Sequence, residues 1–140
     1  MHPLMVYVLC VVLLILLDSP YLYLNNELYK LKTLSISGKG YTKRYYSVII
    51  VYLALALGII FLVLPRMRIN SYSSSNTTAN ILSRIQDSVL YGGVFGLASY
   101  ATFDFTMHFM FDKWDLSVSI MDSIWGSVLC SSVAFIISHV

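Results

Sequence analysis

The sequence predicts an all-α integral membrane protein, a four-helix bundle with antiparallel up-down topology. Of its 140 residues, 58% are hydrophobic and only 11% are charged, and the mean hydropathy is +0.75. A soluble domain of this size cannot bury that much apolar surface. The apolar residues also form four long runs, and each run is close to the roughly 20 residues that a helix needs to cross about 30 Å of hydrocarbon.

These runs divide the chain into helices and loops. The predicted membrane helices lie at about 3–24, 45–64, 88–111 and 116–138, with polar loops over 25–44 and 65–87. The first run has no basic region before it and no small-residue cleavage site after it, so we expect it to be retained as a helix rather than removed as a signal peptide. The whole chain, 1–140, is then a single membrane domain.

The charges of the loops predict the orientation. Six basic residues lie between helices one and two or between helices three and four, whereas three lie on the other side: Lys30, Lys32, Lys39, Lys43, Arg44 and Lys113 against Arg66, Arg68 and Arg84. Because cytoplasmic loops are enriched in Lys and Arg, we expect loop 25–44 in the cytoplasm. Both termini and loop 65–87 are then outside or lumenal, where Asn76 begins a possible N-glycosylation sequon, Asn-Thr-Thr.

Three of the predicted helices carry an aspartate inside the apolar run: Asp18, Asp104 and Asp122. Each lies six or seven residues from the cytoplasmic end of its helix, so all three carboxyls are at a depth of roughly 9 to 11 Å, and Tyr52 reaches the same layer. An aspartate at a helix centre that faces lipid costs roughly 2.5 to 3.5 kcal/mol on insertion scales. We therefore expect the carboxyls to converge inside the bundle, with Asp104 and Asp122 facing each other.

Aromatic and polar residues accompany this acidic layer. Tyr100 and His108 lie on the helix face of Asp104, and Trp125 lies beside Asp122. We expect the Trp125 indole N–H to donate a hydrogen bond to Asp122. Trp114 and the tyrosines near the helix ends are typical of the aromatic belt at a membrane interface.

Small residues predict where helices approach closely. Gly92, Gly93, Gly96 and Gly126 are placed to let the backbones of helices three and four meet. The two cysteines, Cys10 and Cys130, fall within membrane helices, where we expect free thiols that pack as small apolar side chains.

Several stretches of the chain resemble a known family. These are GGVFGLASYATFDFT over 92–106, KW at 113–114, DSIWG over 122–126 and LLD over 16–18. They resemble the small bacterial-type membrane proteins of domain-of-unknown-function family 2177, over most of the chain and most strongly in its second half. The resemblance implies four membrane helices and no established activity. Two features depart from the family pattern. Met107 stands where the resemblance leads us to expect an asparagine after Phe-Asp-Phe-Thr, and the long basic first loop looks looser than the family's.

Three classes of function remain open. In the first, which we favour, the acidic layer handles protons or cations and supports transport, because carboxyls packed in low dielectric can exchange protons near neutrality. A pathway through so small a bundle would require a homodimer. In the second, the protein is an enzyme that acts on a lipid-soluble substrate, with Asp104 and His108 as acid and base. In the third, the aspartates are structural hydrogen-bonding groups in an accessory subunit.

The sequence narrows the set of ligands. It has no Cys and His spacing typical of a metal site, and no nucleophile-elbow or His-Glu-x-x-His motif, so we expect no metal and no cofactor. A net charge of +2 beside a membrane gives no indication of nucleic-acid binding. The expected partners are membrane lipids and, for the transport hypothesis, a second copy of the chain or another membrane protein.

Overall fold

A computed structural model describes residues 2–37, 45–69 and 77–139, and within these ranges the ordered elements are all helical. The helices are α1 (Pro3–Leu24), α2 (Asn26–Ser37), α3 (Tyr45–Gly58), α4 (Leu64–Ile69), α5 (Thr77–Asp87), α6 (Gly93–Met110) and α7 (Leu116–Ile137). Two π-helical segments, Ile59–Val63 and Ser88–Gly92, join α3 to α4 and α5 to α6. The residues that flank each π-helical segment keep helical backbone angles. α3 with α4, and α5 with α6, therefore each form one continuous helical rod. The all-helical fold class is confirmed for the described residues.

Three helical stretches among the described residues are long and apolar enough to cross a membrane: Pro3–Leu24, Tyr46–Met67 and Leu116–Ile137. The helix that carries Asp104 does not reach this level of hydropathy. The reason lies in its composition, since α6 combines Asp104 and His108 with Tyr100 and several small or hydroxyl-bearing residues.

The two predicted loops are partly helical. Asn25 is a one-residue turn, after which the chain resumes a helix as α2, inside the predicted loop 25–44. The predicted loop 65–87 is shortened from both ends, because α4 extends to Ile69 and α5 begins at Thr77. Helical hydrogen bonding does not require an apolar sequence, so hydropathy alone misplaces these boundaries. The predicted glycosylation site Asn76 and the basic residues of 38–44 lie outside the described residues.

The helices pack as two pairs. α1 packs against α3, where the Tyr7 hydroxyl donates a hydrogen bond to the Leu53 carbonyl over 3.1 Å. α6 packs along the length of α7, and α1 also contacts α7, which connects the pairs. The rods meet again where the π-helical segments touch and where the Phe95 ring of α6 lies against Gly58 of α3.

Glycines bring α6 and α7 into backbone contact. A Cβ on Gly96 would lie 2.0 Å from the Gly126 carbonyl oxygen, and a Cβ on Gly92 would lie 3.0 Å from that of Cys130. A Cβ on Gly93 would meet two serine hydroxyls at 3.1 Å. A larger residue at Gly96 would force the helices apart, because it would meet backbone atoms, so this contact sets the distance between the side chains that α6 and α7 carry.

The half of the bundle near the chain termini is filled by apolar side chains. Cys10 and Cys130 are both fully buried there as free thiols. They pack in one cluster with Ile59, Leu129 and Val133. This close packing ends at the level of the aspartates, where the helices enclose open space instead.

Candidate functional site

A cavity of about 530 Å³ lies between the α1–α3 pair and the α6–α7 pair. Asp18, Asp104 and Asp122 all line it, and all three side chains are buried. Most of the remaining wall is aromatic or aliphatic. The other lining residues are Tyr21, Leu22, Tyr29, Val48, Val51, Tyr52, Leu55, Ser99, Tyr100, Phe103 and Trp114.

Asp18 is held by two donors, one on each carboxyl oxygen. The Tyr52 hydroxyl donates to Oδ2 over 2.6 Å, and the Trp125 indole N–H donates to Oδ1 over 2.7 Å. The prediction that Trp125 donates to Asp122 is therefore wrong. The Trp125 ring stacks on Tyr21, with centroids 4.7 Å apart and planes 6° apart, and this stacking aims the indole N–H at Asp18.

Asp122 receives two phenolic donors on a single oxygen. The hydroxyls of Tyr21 from α1 and Tyr29 from α2 both donate to Asp122 Oδ1. The pKa of the Tyr29 phenol is raised above its ordinary value, mainly because the phenol is buried. The phenol is therefore a neutral donor in neutral solution. Through this bond, α2 is attached to the wall of the cavity.

Asp104 is the least satisfied of the three carboxyls. Its side chain is 1% exposed and interacts with that of Asp122 across the α6–α7 interface. Its Oδ1 atom is buried and has no hydrogen-bond partner within the described part of the chain. The Ser119 hydroxyl donates to the Asp104 backbone carbonyl over 3.0 Å, so this hydrogen bond fixes the backbone and not the carboxyl.

Trp114 belongs to the cavity wall and is not an exposed interfacial anchor as the sequence suggested. Its side chain is 7% exposed and meets Phe103 edge to face, with ring centroids 6.3 Å apart. The turn that connects α6 to α7 places it there, and His108 Nδ1 lies 2.6 Å from the Trp114 carbonyl oxygen. The Trp114 indole nitrogen is buried without a hydrogen-bond partner among the described residues.

His108 does not line the cavity. Its side chain is exposed at the end of α6, and its contact with the Trp114 carbonyl places it at the connecting turn. The suggested acid and base pair of Asp104 and His108 is therefore not formed. Helical phase put the two residues on one face, but the turn after Met110 engages the imidazole instead.

Two further residues of α6, Tyr100 and Ser99, shape the wall. Tyr100 lines the cavity, and its ring fills the space beside Gly126, where a Cβ would lie 2.3 Å from the ring. The Ser99 hydroxyl donates to the Phe95 carbonyl over 2.8 Å.

The lining residues with a polar group that sequence reasoning did not assign to the acidic layer are Tyr21, Tyr29, Ser99 and Trp114. Tyr21 could have been found, because it follows Asp18 by three residues and so shares its helix face. Tyr29 lies in a helix that hydropathy does not reveal.

The carboxyls do not form a metal-binding cluster. Among the described residues, no group of three or more His, Cys, Asp or Glu side chains is arranged to hold a metal ion. The buried carboxyls and phenols of the cavity form hydrogen bonds with one another, and the apolar surrounding strengthens them.

Comparison with protein families matches residues 3–138 to the model described as "Predicted membrane protein (DUF2177)". A search of curated proteins finds no match, and a search of solved structures finds none either. The matched range contains all three cavity aspartates and nearly the whole chain, and it agrees with the resemblance seen in the sequence motifs. The chain belongs to the DUF2177 family of predicted membrane proteins.

Proposed function

We propose that this membrane protein binds a lipid-soluble amphiphile, a molecule with an apolar tail and a small polar end, in its acidic cavity. The observation that carries the proposal is the combination of three buried carboxyls with a largely apolar wall in one cavity of about 530 Å³. Pockets for small molecules are commonly about 300 to 1,000 Å³ and mainly apolar, with a few polar groups that orient the ligand.

The composition of the cavity also favours binding over passage through the bundle. Beyond the aspartates, the described residues of the bundle are closely packed around Cys10, Ile59 and Leu129. A cavity that ends in such a core holds a ligand more readily than it conducts one.

The membrane arrangement that we propose has four spans in up-down order. α6 supports a fourth span although its hydropathy is lower, because it runs antiparallel along α7, a candidate span, from the Gly92 contact to Asp104. A helix in backbone contact with a membrane helix over that length lies in the same hydrocarbon layer. Asp104, Tyr100 and Ser99 of α6 then line the cavity, so its carboxyl is kept from lipid.

We further propose that both termini and loop 65–87 face the outside or a lumen and that the cavity lies toward the cytoplasm. Reporter fusions to the two ends should give the same sidedness. A cysteine introduced at Ser74 should react with an impermeant reagent in intact cells, against little background, since Cys10 and Cys130 are buried. Reporters on opposite sides would contradict four spans, and labelling of Ser74→Cys only after permeabilisation would reverse the orientation.

Ligand binding can be tested with a substitution that fills the cavity. Ser99→Leu places a larger side chain in the wall, whereas Ala98→Leu adds a similar volume at the neighbouring exposed position on α6. We expect native mass spectrometry of the purified protein to detect a bound hydrophobic molecule in the native chain and in Ala98→Leu, and not in Ser99→Leu. Equal retention by both variants, or no bound molecule in the native chain, would contradict ligand binding in this cavity.

A second candidate function, proton exchange, is favoured by the direct interaction of the Asp104 and Asp122 carboxyls. Two carboxyls this close in an apolar surrounding are expected to share a proton at neutral pH. Infrared spectroscopy should then show a protonated carboxyl band that disappears in Asp104→Asn and in Asp122→Asn. A spectrum with every carboxyl ionised at pH 7 would contradict this candidate. If proton exchange at these carboxyls also moved charge across the membrane, a second copy of the chain would have to complete the proton pathway.

A further inference from the structure

The long helices around the cavity are joined to one another on three of its four sides. Between α1 and α3, the Tyr52 hydroxyl donates to Asp18 over 2.6 Å. Between α1 and α7, the Trp125 indole N–H donates to Asp18 over 2.7 Å. The Tyr21 hydroxyl also donates to Asp122 on that side. Between α6 and α7, the glycine contacts bring the two backbones together. Passage through these three sides requires that a hydrogen bond break or that two backbones separate.

The fourth side, between α3 and α6, is closed next to the apolar core by Phe95. Its ring packs against that core and lies against Gly58, where an added Cβ would be 2.1 Å from the ring. Beyond this contact, toward the turn that connects α6 to α7, no hydrogen bond joins α3 to α6 in the part of the chain that the structure describes. This side of the cavity is therefore bounded by side chains that can move without breaking a hydrogen bond between helices.

The cavity opens to the outside of the bundle on this fourth side. The residues that line it there are Val48, Val51 and Leu55 of α3, with Ser99 and Phe103 of α6. On α3 they precede Gly58 by three, seven and ten residues, and on α6 they follow Phe95 by four and eight, so each set lies on one helix face. Val48, Val51 and Phe103 line the cavity and are also 45%, 53% and 58% exposed. We call this opening the α3–α6 slot.

The slot faces the hydrocarbon of the membrane. Val48 and Val51 lie on Tyr46–Met67, a stretch that is long and apolar enough to cross a bilayer. The Ser99 hydroxyl is already satisfied, because it donates to the Phe95 carbonyl over 2.8 Å. The slot therefore offers apolar contacts to a molecule that approaches from the lipid.

A hydrocarbon chain enters such a slot at little cost. Lipid chains are as apolar as the side chains of the slot, so a chain that moves in from the bilayer gives up no hydration energy, and it gains van der Waals contacts with the wall. A charged head group would instead have to leave water for an apolar surrounding, which is costly. The chain is thus the part of a lipid that fits the slot.

We infer that the α3–α6 slot is a lateral portal, through which the hydrocarbon chain of a membrane lipid enters the cavity from within the bilayer. The inference rests on the proposed ligand-binding function and adds the route that the ligand takes. It requires no covalent step. It predicts that a lipid chain reaches lining residues that are buried from bulk lipid.

The test uses the purified full-length protein in nanodiscs that contain phosphatidylcholine with a diazirine on one acyl chain. After illumination, mass spectrometry maps the cross-links. We expect cross-links at lining residues of the interior, Tyr52, Leu55 and Asp122, which are only 5%, 8% and 6% exposed. Ile124 is 58% exposed on α7 and does not line the cavity, so its labelling measures the amount of probe around the protein.

Two neighbouring substitutions on α3 test the route. Val51→Trp places a larger ring in the slot, whereas Ile50→Trp adds a ring at a position that is 59% exposed and does not line the cavity. Both positions are exposed, so neither variant overpacks the interior. We expect Val51→Trp to lower interior labelling relative to Ile124 about tenfold, because side chains must give way for a chain to pass the indole. Ile50→Trp should leave the ratio unchanged.

The outcomes separate the portal from the proposed function. Equal interior labelling in Val51→Trp and Ile50→Trp, abolished by Ser99→Leu, would overturn the portal and leave ligand binding in the cavity intact. Cross-links confined to outer residues such as Ile124 would also overturn the portal. Ligand binding would then stand or fall on whether native mass spectrometry detects a bound hydrophobic molecule that Ser99→Leu removes.

Discussion

Replacing Gly96 by alanine should separate α6 from α7 at the point where their backbones touch. The added Cβ would lie 2.0 Å from the Gly126 carbonyl oxygen and 2.6 Å from its carbonyl carbon. The shorter distance is about 1.4 Å less than an ordinary van der Waals contact. Because the opposing atoms belong to the backbone, no side-chain rotation can relieve the overlap, and the helices themselves must move.

Overpacking of this kind costs about 1 to 3 kcal/mol when side chains can adjust. We expect Gly96→Ala to lower the free energy of unfolding by at least the upper value, about 3 kcal/mol. This net loss already allows for the roughly 1 kcal/mol that alanine gains over glycine in helix propensity. The displaced helix also carries Asp104, two turns further along α6, so the contact between the Asp104 and Asp122 carboxyls should loosen.

Gly93→Ala is the matched control. Its Cβ would meet only the hydroxyl oxygens of Ser127 and Ser131, each at 3.1 Å, and these can shift by a few tenths of an ångström. We expect it to change the free energy of unfolding by less than about 1 kcal/mol. Unfolding of the purified variants in mixed micelles, titrated with a denaturing detergent, measures both. If Gly96→Ala proves as stable as Gly93→Ala, the backbone contact does not determine the helix separation.

Three further substitutions test the acidic network. Asp18→Asn should lower the free energy of unfolding by about 1 to 3 kcal/mol, because both oxygens accept hydrogen bonds and the amide nitrogen would face a donor. Asp122→Asn should lower it by less than about 1 kcal/mol, since both phenols donate to one oxygen that the amide retains; equal losses in a thermal unfolding assay would contradict this difference. Tyr29→Phe should free α2 from the cavity wall and increase trypsin cleavage after Lys30 several-fold in reconstituted vesicles, because it removes the hydrogen bond to Asp122. Cleavage at the native rate would show that other contacts hold α2.

The sequence could predict the membrane character of the chain and that three aspartates of its helices come together at one level of the bundle. Depth follows from a constant rise per residue, so counting from the helix ends is enough to assign Asp18, Asp104 and Asp122 to one layer. The partners within that layer could not be predicted, because they depend on how far each helix is rotated and on which ring stacks where. Trp125 illustrates this, since its stacking on Tyr21 directs its N–H to Asp18 rather than to the aspartate nearest in sequence.

Hydropathy failed where helices continue outside the apolar runs. α2 contributes Tyr29 to the site, yet its sequence mixes charged, polar and apolar residues and reads as a loop. The turn after α6 buries Trp114 for a similar reason. A short connection between antiparallel helices folds back over the bundle, and its burial is set by tertiary contacts that no local pattern encodes.

The closely packed core beside Cys10 and Cys130 gives the molecule a polarity along the membrane normal. Among the described residues the cavity ends at that core, so a ligand bound as we propose would exchange from one half of the bilayer. A ligand in such a blind compartment equilibrates with a single leaflet, and its occupancy follows the composition of that leaflet alone. The protein would then distinguish two membranes with identical total lipid but different transbilayer asymmetry.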